Sequence, residues 1–274
     1  MNTPEAKDNR LDTDSPLASP NRFDYRELGG AADGQAALAD ETALAISYNG
    51  ISQAVMMISP GHIEDFVTGF SLSNRIVSRP QDIYDIQLHR SGEAHHAQVE
   101  IASRSFALLK EQRRQLAGTS GCGLCGVEAL EQALPDLEPL APAPLPEAGH
   151  FQELRQRIHA SQQAAQKSGA VHAALYLDSN ARIRFCREDI GRHNALDKLI
   201  GAISRANITP RDGMVVITSR CSLELIQKAV RCHIGTLATL SAPTALAVRW
   251  ARRYGLNLIH VTQHSAPRLY SPAQ

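Results

Sequence analysis

Two cysteines in a glycine-rich stretch, Cys122 and Cys125 in residues 119–126 (TSGCGLCG), carry the sharpest chemical signal of the chain. A C-x-x-C pair brings two sulfurs together and can pull a thiolate pKa down to roughly 7 or lower. Gly121, Gly123 and Gly126 free the backbone and leave the sulfurs uncovered. Three chemistries fit. A zinc half-site would need two more ligands, for which Cys186, Cys221, Cys232, His193 and His233 are available, but no second C-x-x-C exists. A dithiol oxidoreductase should have its pair between a strand and a helix, whereas residues 113–120 are polar and small. A sulfur carrier would take a sulfane sulfur on one cysteine, the second assisting release. The plain alternative is two incidental loop cysteines.

Three further segments could bind a ligand. Residues 187–194 (REDIGRHN), running on to Asp197 and Lys198, join a strand end to a helix start, where α/β sheets hold ligands. Arg192 and Lys198 could meet phosphate there, and His193 could move a proton. The same residues equally suit a salt-bridged, capped loop. Residues 218–222 (TSRCS), with Ser219 and Arg220, and residues 241–244 (SAPT), with Ser241 and Thr244, repeat the strand-to-helix position. Hydroxyls with one arginine at a helix start suit an anion, or merely cap the helix. His62 and Glu64 with the cysteine pair also match the H-x-E … C-x-x-C signature of zinc deaminases. Against it, Gly121 stands where that signature has proline, and the intervening segment is long.

These residues need elements to position them. Residues 1–39, rich in Asp, Pro, Ala and Gly, read as a tail. Strands are expected over 42–48 and 51–58 around the Asn49-Gly50 turn. Ile63, Phe66, Val67 and Phe70 predict a helix, residues 84–88 and 97–101 two more strands, and the period near Phe106 is ambiguous. Residues 40–134 form an N-terminal α+β domain that ends in the C-x-x-C loop. Residues 135–149, with Pro135, Pro139, Pro142, Pro144 and Pro146, form an extended linker. Residues 150–274 form the second domain: a helix over 151–167, strands over 171–177 and 182–186, then helices over 195–205, 223–232 and 244–253 alternating with strands over 214–218, 236–240 and 257–262. Such alternation implies a largely parallel sheet with helices on both faces, an α/β unit within a chain that is α+β overall. Pro243 should occupy the first turn of its helix.

Composition bounds the rest. The chain has 274 residues, 28 Lys+Arg against 28 Asp+Glu, and five cysteines. Zero net charge argues against a nucleic-acid coat or an anionic-membrane binder. The odd cysteine count argues against a secreted disulfide scaffold and for a cytoplasmic protein. No apolar run approaches the ~18 residues of a membrane span, and the first residues lack a signal-peptide core.

Taken together, PGHIEDFVTGFSLSNRI, GCGLCG, EDIGRHNALDK, SRCSLELIQKAV, SAPTALAV and the closing LYS resemble the formate dehydrogenase accessory sulfurtransferases, from about Asp40 to Ser271. The resemblance implies a sulfur carrier that receives sulfur from a cysteine desulfurase. It would pass it to the molybdenum cofactor of formate dehydrogenase, a bis-molybdopterin guanine dinucleotide. It implies Cys122 as the persulfide-bearing residue with Cys125 as its partner, no resident metal, a cytoplasmic homodimer, and formate dehydrogenase as a partner. It implies a second domain similar to cytidine deaminase, a three-layer α/β unit. It also implies a cofactor-binding segment at Val261, Thr262, Gln263, His264, Ser265 and Ala266. This chain has no arginine there, so Arg192, Arg220 and Arg268 are candidates for the phosphates. A chaperone for cofactor or apoenzyme, without sulfur transfer, is the alternative of another class.

Overall fold

The computed structural model describes residues 21–30, 32–118 and 134–271. Cys122 and Cys125 lie outside the described residues. The described residues form an α+β structure with three sheets.

The first sheet is a hairpin, β1 (Asn21–Arg26) and β2 (Asp33–Leu38). It corrects the expectation of a tail through Ala39. Few apolar residues mark it, and backbone pairing with the Arg26–Asp33 and Gln35–Asp24 contacts (2.9 and 2.8 Å) holds it instead.

The second sheet orders β4 (Ile51–Ile58), β3 (Thr42–Tyr48), β6 (Ala94–Ile101) and β5 (Ile83–Ser91). Strands β3 and β4 fall where the sequence puts them. Asn49 and Gly50 both have positive φ (45° and 81°), as a type I′ hairpin turn requires. Alternate residues of β3 (Leu44, Ile46, Tyr48) are buried against Phe66 and Val67 of helix α1 (Ile63–Ser73). The ambiguous region near Phe106 is a helix, α2 (Ser103–Gly118), with Leu109 in the same core.

The third sheet orders β12 (Arg268–Ser271), β11 (Asn257–His260), β10 (Thr236–Thr239), β9 (Met214–Ile217), β7 (His172–Leu177) and β8 (Ile183–Asp189). Only β9, β10 and β11 pair in parallel; β7, β8 and β12 join antiparallel. The sheet is therefore mixed rather than largely parallel. The 178–182 turn, closed by Asp178, folds β8 straight back on β7.

Both faces of this sheet are covered, so its strands alternate between two cores. Tyr176, Val215 and Ile217 face helices α5 (Arg192–Arg205), α6 (Leu223–Arg231) and α7 (Ala245–Arg253). Leu175, Leu177 and Val216 face helix α3 (Leu154–Ser161). The single helix expected over 151–167 is split, with α4 (Gln163–Ser168) following α3. Gln162 is extended between them, and the Glu188 carboxylate takes the Ala164 and Ala165 N–H groups at 2.8 and 2.9 Å. Pro243 precedes its helix rather than opening it, because Thr244 is the N-cap and accepts from the Ala247 N–H at 3.2 Å.

The two halves are joined tightly. Helices α1 and α5 cross at Gly69 and Gly201, where a Cβ on either would collide with the other helix's backbone. The expected linker is extended but bound to the third sheet's side of the molecule. Leu137 is in its core, Leu140 N–H donates to Tyr254 O at 2.9 Å, and Asn257 donates to Ala143 O at 3.2 Å.

Candidate functional site

Strands β8, β9, β10 and β11 all run the same way, so their carboxyl ends share one sheet edge. Antiparallel β7 brings its first residue, His172, to the same edge, opposite Asp189. The loops named from sequence therefore converge there: residues 190–193, 218–222, 240–244 and 261–266.

The edge has an inner and an outer layer. In the inner layer, Asp189 and Lys198 are wholly buried and 2.8 Å apart. Asp189 also accepts from the backbone N–H groups of Ser59 and Gly191 and from Asn194 Nδ2, each at 2.9 Å. Lys198 Nζ donates to Ser59 O at 2.8 Å, and Asn194 Nδ2 reaches Met57 O at 2.9 Å. Every contact to residues 57–59 crosses between the halves of the molecule. Lys198 is thus a lock and not a phosphate ligand, which corrects that reading of the sequence. A second lock lies behind it: Asp197 accepts from Ser73 and Lys228 at 2.7 Å, and Asp65 from Arg187 at 2.8 Å and Arg205 at 2.7 Å.

The outer layer is available for chemistry. Arg192 and His193 open α5 and are half-buried, and Arg220 is exposed. Among the described residues neither Arg192 nor Arg220 makes an ion pair. The N-caps of α5 and α6, Gly191 and Ser222, supply no side-chain cap; Glu224 in the first turn of α6 takes its own backbone N–H, so the open helix N-terminus at this edge is that of α5. Burial, then the Arg192 and Lys228 charges, push the His193 imidazole below its ordinary pKa; burial and then Arg192 do the same to His172. Glu224 is held low, first by the Ser222 hydroxyl at 2.7 Å and also by His193 and Arg192. Sequence reasoning passed over His172 and Glu224, since only the topology brings them beside Arg192.

The hydroxyl candidates have mixed placements. Ser219 is buried, with its hydroxyl on Arg220 O at 3.1 Å. Ser241 donates to Thr218 O at 3.4 Å, and Thr244 is a helix cap. Val261 puts its side chain in the core beneath α3. Thr262 closes a turn onto Ser265 Oγ at 2.9 Å, and Gln263, His264, Ser265 and Ala266 are exposed on it. Arg155 of α3 ties this turn to its neighbour by donating to Leu240 O and Val261 O, both at 2.6 Å.

The H-x-E half of the deaminase signature has another occupation. Glu64 pairs with Arg205 at 2.6 Å, and His62 Nδ1 lies 3.9 Å from the Asp65 carboxylate. No cluster of three or more metal-ligating side chains occurs among the described residues. The described thiols, Cys186, Cys221 and Cys232, are each pushed up to about 12, chiefly by desolvation.

A sequence profile of the FdhD/NarQ family matches residues 39–274. The chain belongs to this family. A Bordetella petrii member named sulfur carrier protein FdhD is 44% identical over 245 residues, covering 88% of this chain and 87% of that protein. A Cupriavidus necator member of the same name is 42% identical over 242 residues, covering 86% and 82%. The fold resembles that of a Desulfotalea psychrophila protein crystallised as a candidate formate dehydrogenase accessory protein. The TM-score is 0.71 at 23% identity, over 94% of this chain and 98% of that one. Among the described residues no helix is long and apolar enough to cross a membrane.

Proposed function

We propose that this protein is a sulfurtransferase of the sulfur-carrier type. It takes sulfur from a cysteine desulfurase as a persulfide on Cys122, with Cys125 as its partner. Acting in the cytoplasm, it delivers that sulfur to the bis-molybdopterin guanine dinucleotide cofactor of formate dehydrogenase. The observation that carries the reading is identity above 40% along most of the chain to members named as sulfur carriers.

The thiols support the assignment of residues. Thiolates, not thiols, attack sulfur. Cys186, Cys221 and Cys232, at about 12, are protonated at neutral pH, so the glycine-rich pair is left to carry the chemistry. In the loading step the Cys122 thiolate attacks the outer sulfur of the donor's persulfide. A new S–S bond forms on Cys122, the donor's S–S bond breaks, and the donor cysteine leaves as thiolate. The acceptor cofactor is cargo, not a resident group. Its guanine dinucleotide arms are anionic, and the sheet edge offers them Arg192, Arg220 and the N-terminus of α5, which has no side-chain cap. The chain functions as a homodimer in this reading.

The test is mass spectrometry of reduced protein after incubation with cysteine and a cysteine desulfurase. One extra sulfur should appear on the GCGLCG peptide, vanish on adding thiol and be absent from Cys122→Ala. Arg192→Ala and Arg220→Ala should load normally yet deliver less sulfur. A Cys122→Ser protein that activates formate dehydrogenase normally would point instead to a chaperone, and the sulfur-carrier reading would fall.

A further inference from the structure

The most exact conjunction outside the sheet edge lies where three helices end together. Helix α1 closes at Arg75 (φ 58°), α5 at Asn207 (φ 53°) and α6 at His233 (φ 55°). Each closure turns a following isoleucine back onto its helix: Ile76 N–H to Ser71 O at 2.9 Å, Ile208 to Ile203 at 3.1 Å, and Ile234 to Ala229 at 2.9 Å. Between these ends runs a groove of about 300 Å³. That is the small end of the range for ligand pockets, and pockets favour such boundaries between packed units.

The groove's walls are mostly apolar, with Leu72, Ile203, Ile208 and Ile234 among them. Its polar groups are unbalanced. Arg231 and Ser204 line it, and Arg231 Nε and Ser204 Oγ are buried without a hydrogen-bond partner among the described residues. No aspartate or glutamate lines the groove, and Arg79, the other arginine on it, is paired with Asp82 at 3.0 Å. Arg231 does bond Ser73 O at 3.1 Å through Nη1. That cap uses one side of the guanidinium and leaves Nε idle. The closures supply donors to Ser71 O, Ile203 O and Ala229 O, and Arg231 Nη1 supplies the one to Ser73 O. Burial, then neighbouring Arg75, lower the Arg231 pKa, so the cation is held against both desolvation and a like charge. A buried donor left unmade is destabilising, most of all on a charged group.

We propose that this groove binds a small monocarboxylate with an apolar body. The carboxylate would accept from Arg231 Nε and Ser204 Oγ, and the body would lie along Leu72, Ile203 and Ile234. One unpaired guanidinium in apolar walls matches a single negative charge. A doubly charged phosphate would bring charge that the groove cannot meet and no apolar surface to fill it. The site lies apart from the sheet edge and is independent of sulfur transfer.

The probes are benzoate and isovalerate, with benzamide and inorganic phosphate as comparators, in saturation-transfer NMR on the full chain. Benzoate and isovalerate should bind, and the comparators at least about tenfold more weakly, in line with a charge-assisted hydrogen bond. Arg231→Gln and Ser204→Ala should each weaken benzoate about tenfold or more without affecting persulfide loading. Because Arg231 also caps α1, a reading on the unaltered protein stands beside the variants. Ile203 and Ile234 line the groove, so bound benzoate should shift their methyl resonances and leave that of Ile46, in the core of the second sheet, unchanged. Absence of signal from both acids, equal binding of benzamide, or binding indifferent to Ser204→Ala would overturn the proposal. Normal benzoate binding with failed sulfur loading would refute the sulfur-carrier reading alone.

Discussion

Replacing Lys198 by methionine tests whether the EDIGRHNALDK stretch holds the molecule together from inside. The Lys198 ammonium is wholly buried and has three acceptors: Asp189 Oδ2 and Ser59 O at 2.8 Å, and Glu188 O at 3.4 Å. Methionine fills most of the lysine volume, so little of the loss comes from a cavity. What remains is a wholly buried carboxylate without its counter-charge. Removing one partner of a buried pair costs about 3–5 kcal/mol. Asp189 keeps three N–H donors, from Ser59, Gly191 and Asn194, which places the loss near the lower end, about 3 kcal/mol. The double variant Asp189→Asn/Lys198→Met removes the stranded charge, so it should be no less stable than Lys198→Met alone. The coupling should be about 2 kcal/mol. Urea titration at pH 7 reads this as a lowered midpoint at unchanged slope. A single-variant loss under about 1 kcal/mol, or strict additivity in the double, would show that water already reaches the pair and refute the lock.

Gly201→Ala should destabilise although alanine is the better helix former, because its Cβ meets the Asp65 carbonyl and pries α1 from α5. Overpacking of about 3 kcal/mol against a helix gain of about 1 leaves roughly 2 kcal/mol, a Tm loss of roughly 5 °C; an unchanged or higher Tm would contradict the crossing. The pH profile follows from His172 and His193, whose folded pKa values lie below the ordinary 6.5. The unfolded chain then binds more protons between the folded values and 6.5, so stability is full above 6.5 and is lost as pH falls through that window. Glu224, also lowered, adds its loss only below its ordinary 4.5. The urea midpoint should therefore decline on acidification from neutrality, with a shallower decline in His193→Gln; parallel profiles for the two proteins would exclude that histidine as a source.

Local signals made much of this fold legible. The β3–β4 hairpin could be read because Asn49-Gly50 suits two positive φ angles in succession. Strands β7 to β11 of the third sheet could be read because short apolar runs lie between helical periods; the short β12, with only Leu269 and Tyr270 to mark it, could not. The split between α3 and α4 could not, because the carboxylate that holds it, Glu188, belongs to a strand 24 residues away in sequence. Helix α2 was obscured by its charged residues, and the β1–β2 hairpin by its lack of a buried face. At the site, three loops and both arginines were legible as strand-to-helix junctions. The role of Lys198 was not. Its acceptor Ser59 lies 139 residues away, and a Gly-Arg-His loop followed by lysine looks the same whether that lysine meets phosphate or carboxylate.

That division of labour explains how one short stretch can serve both the fold and a ligand. Asp189, Asn194 and Lys198 turn inward and fasten the start of α5 to residues 57–59 of the other half. Gly191 donates its N–H to Asp189 at 2.9 Å, so the turn into the helix is fixed by the same carboxylate. With the inward groups committed, Arg192 and His193 are left to project at the sheet edge from a backbone that cannot drift. A ligand there meets a preset guanidinium and preset helix N–H groups, so little of its binding energy goes to ordering them. The locks should therefore matter for delivery even though none of their atoms touches the cargo. In Lys198→Met, loading at Cys122 should stay normal in the folded fraction while transfer to the acceptor slows. Loading and transfer that fall together would instead place the lysine in support of the cysteine loop.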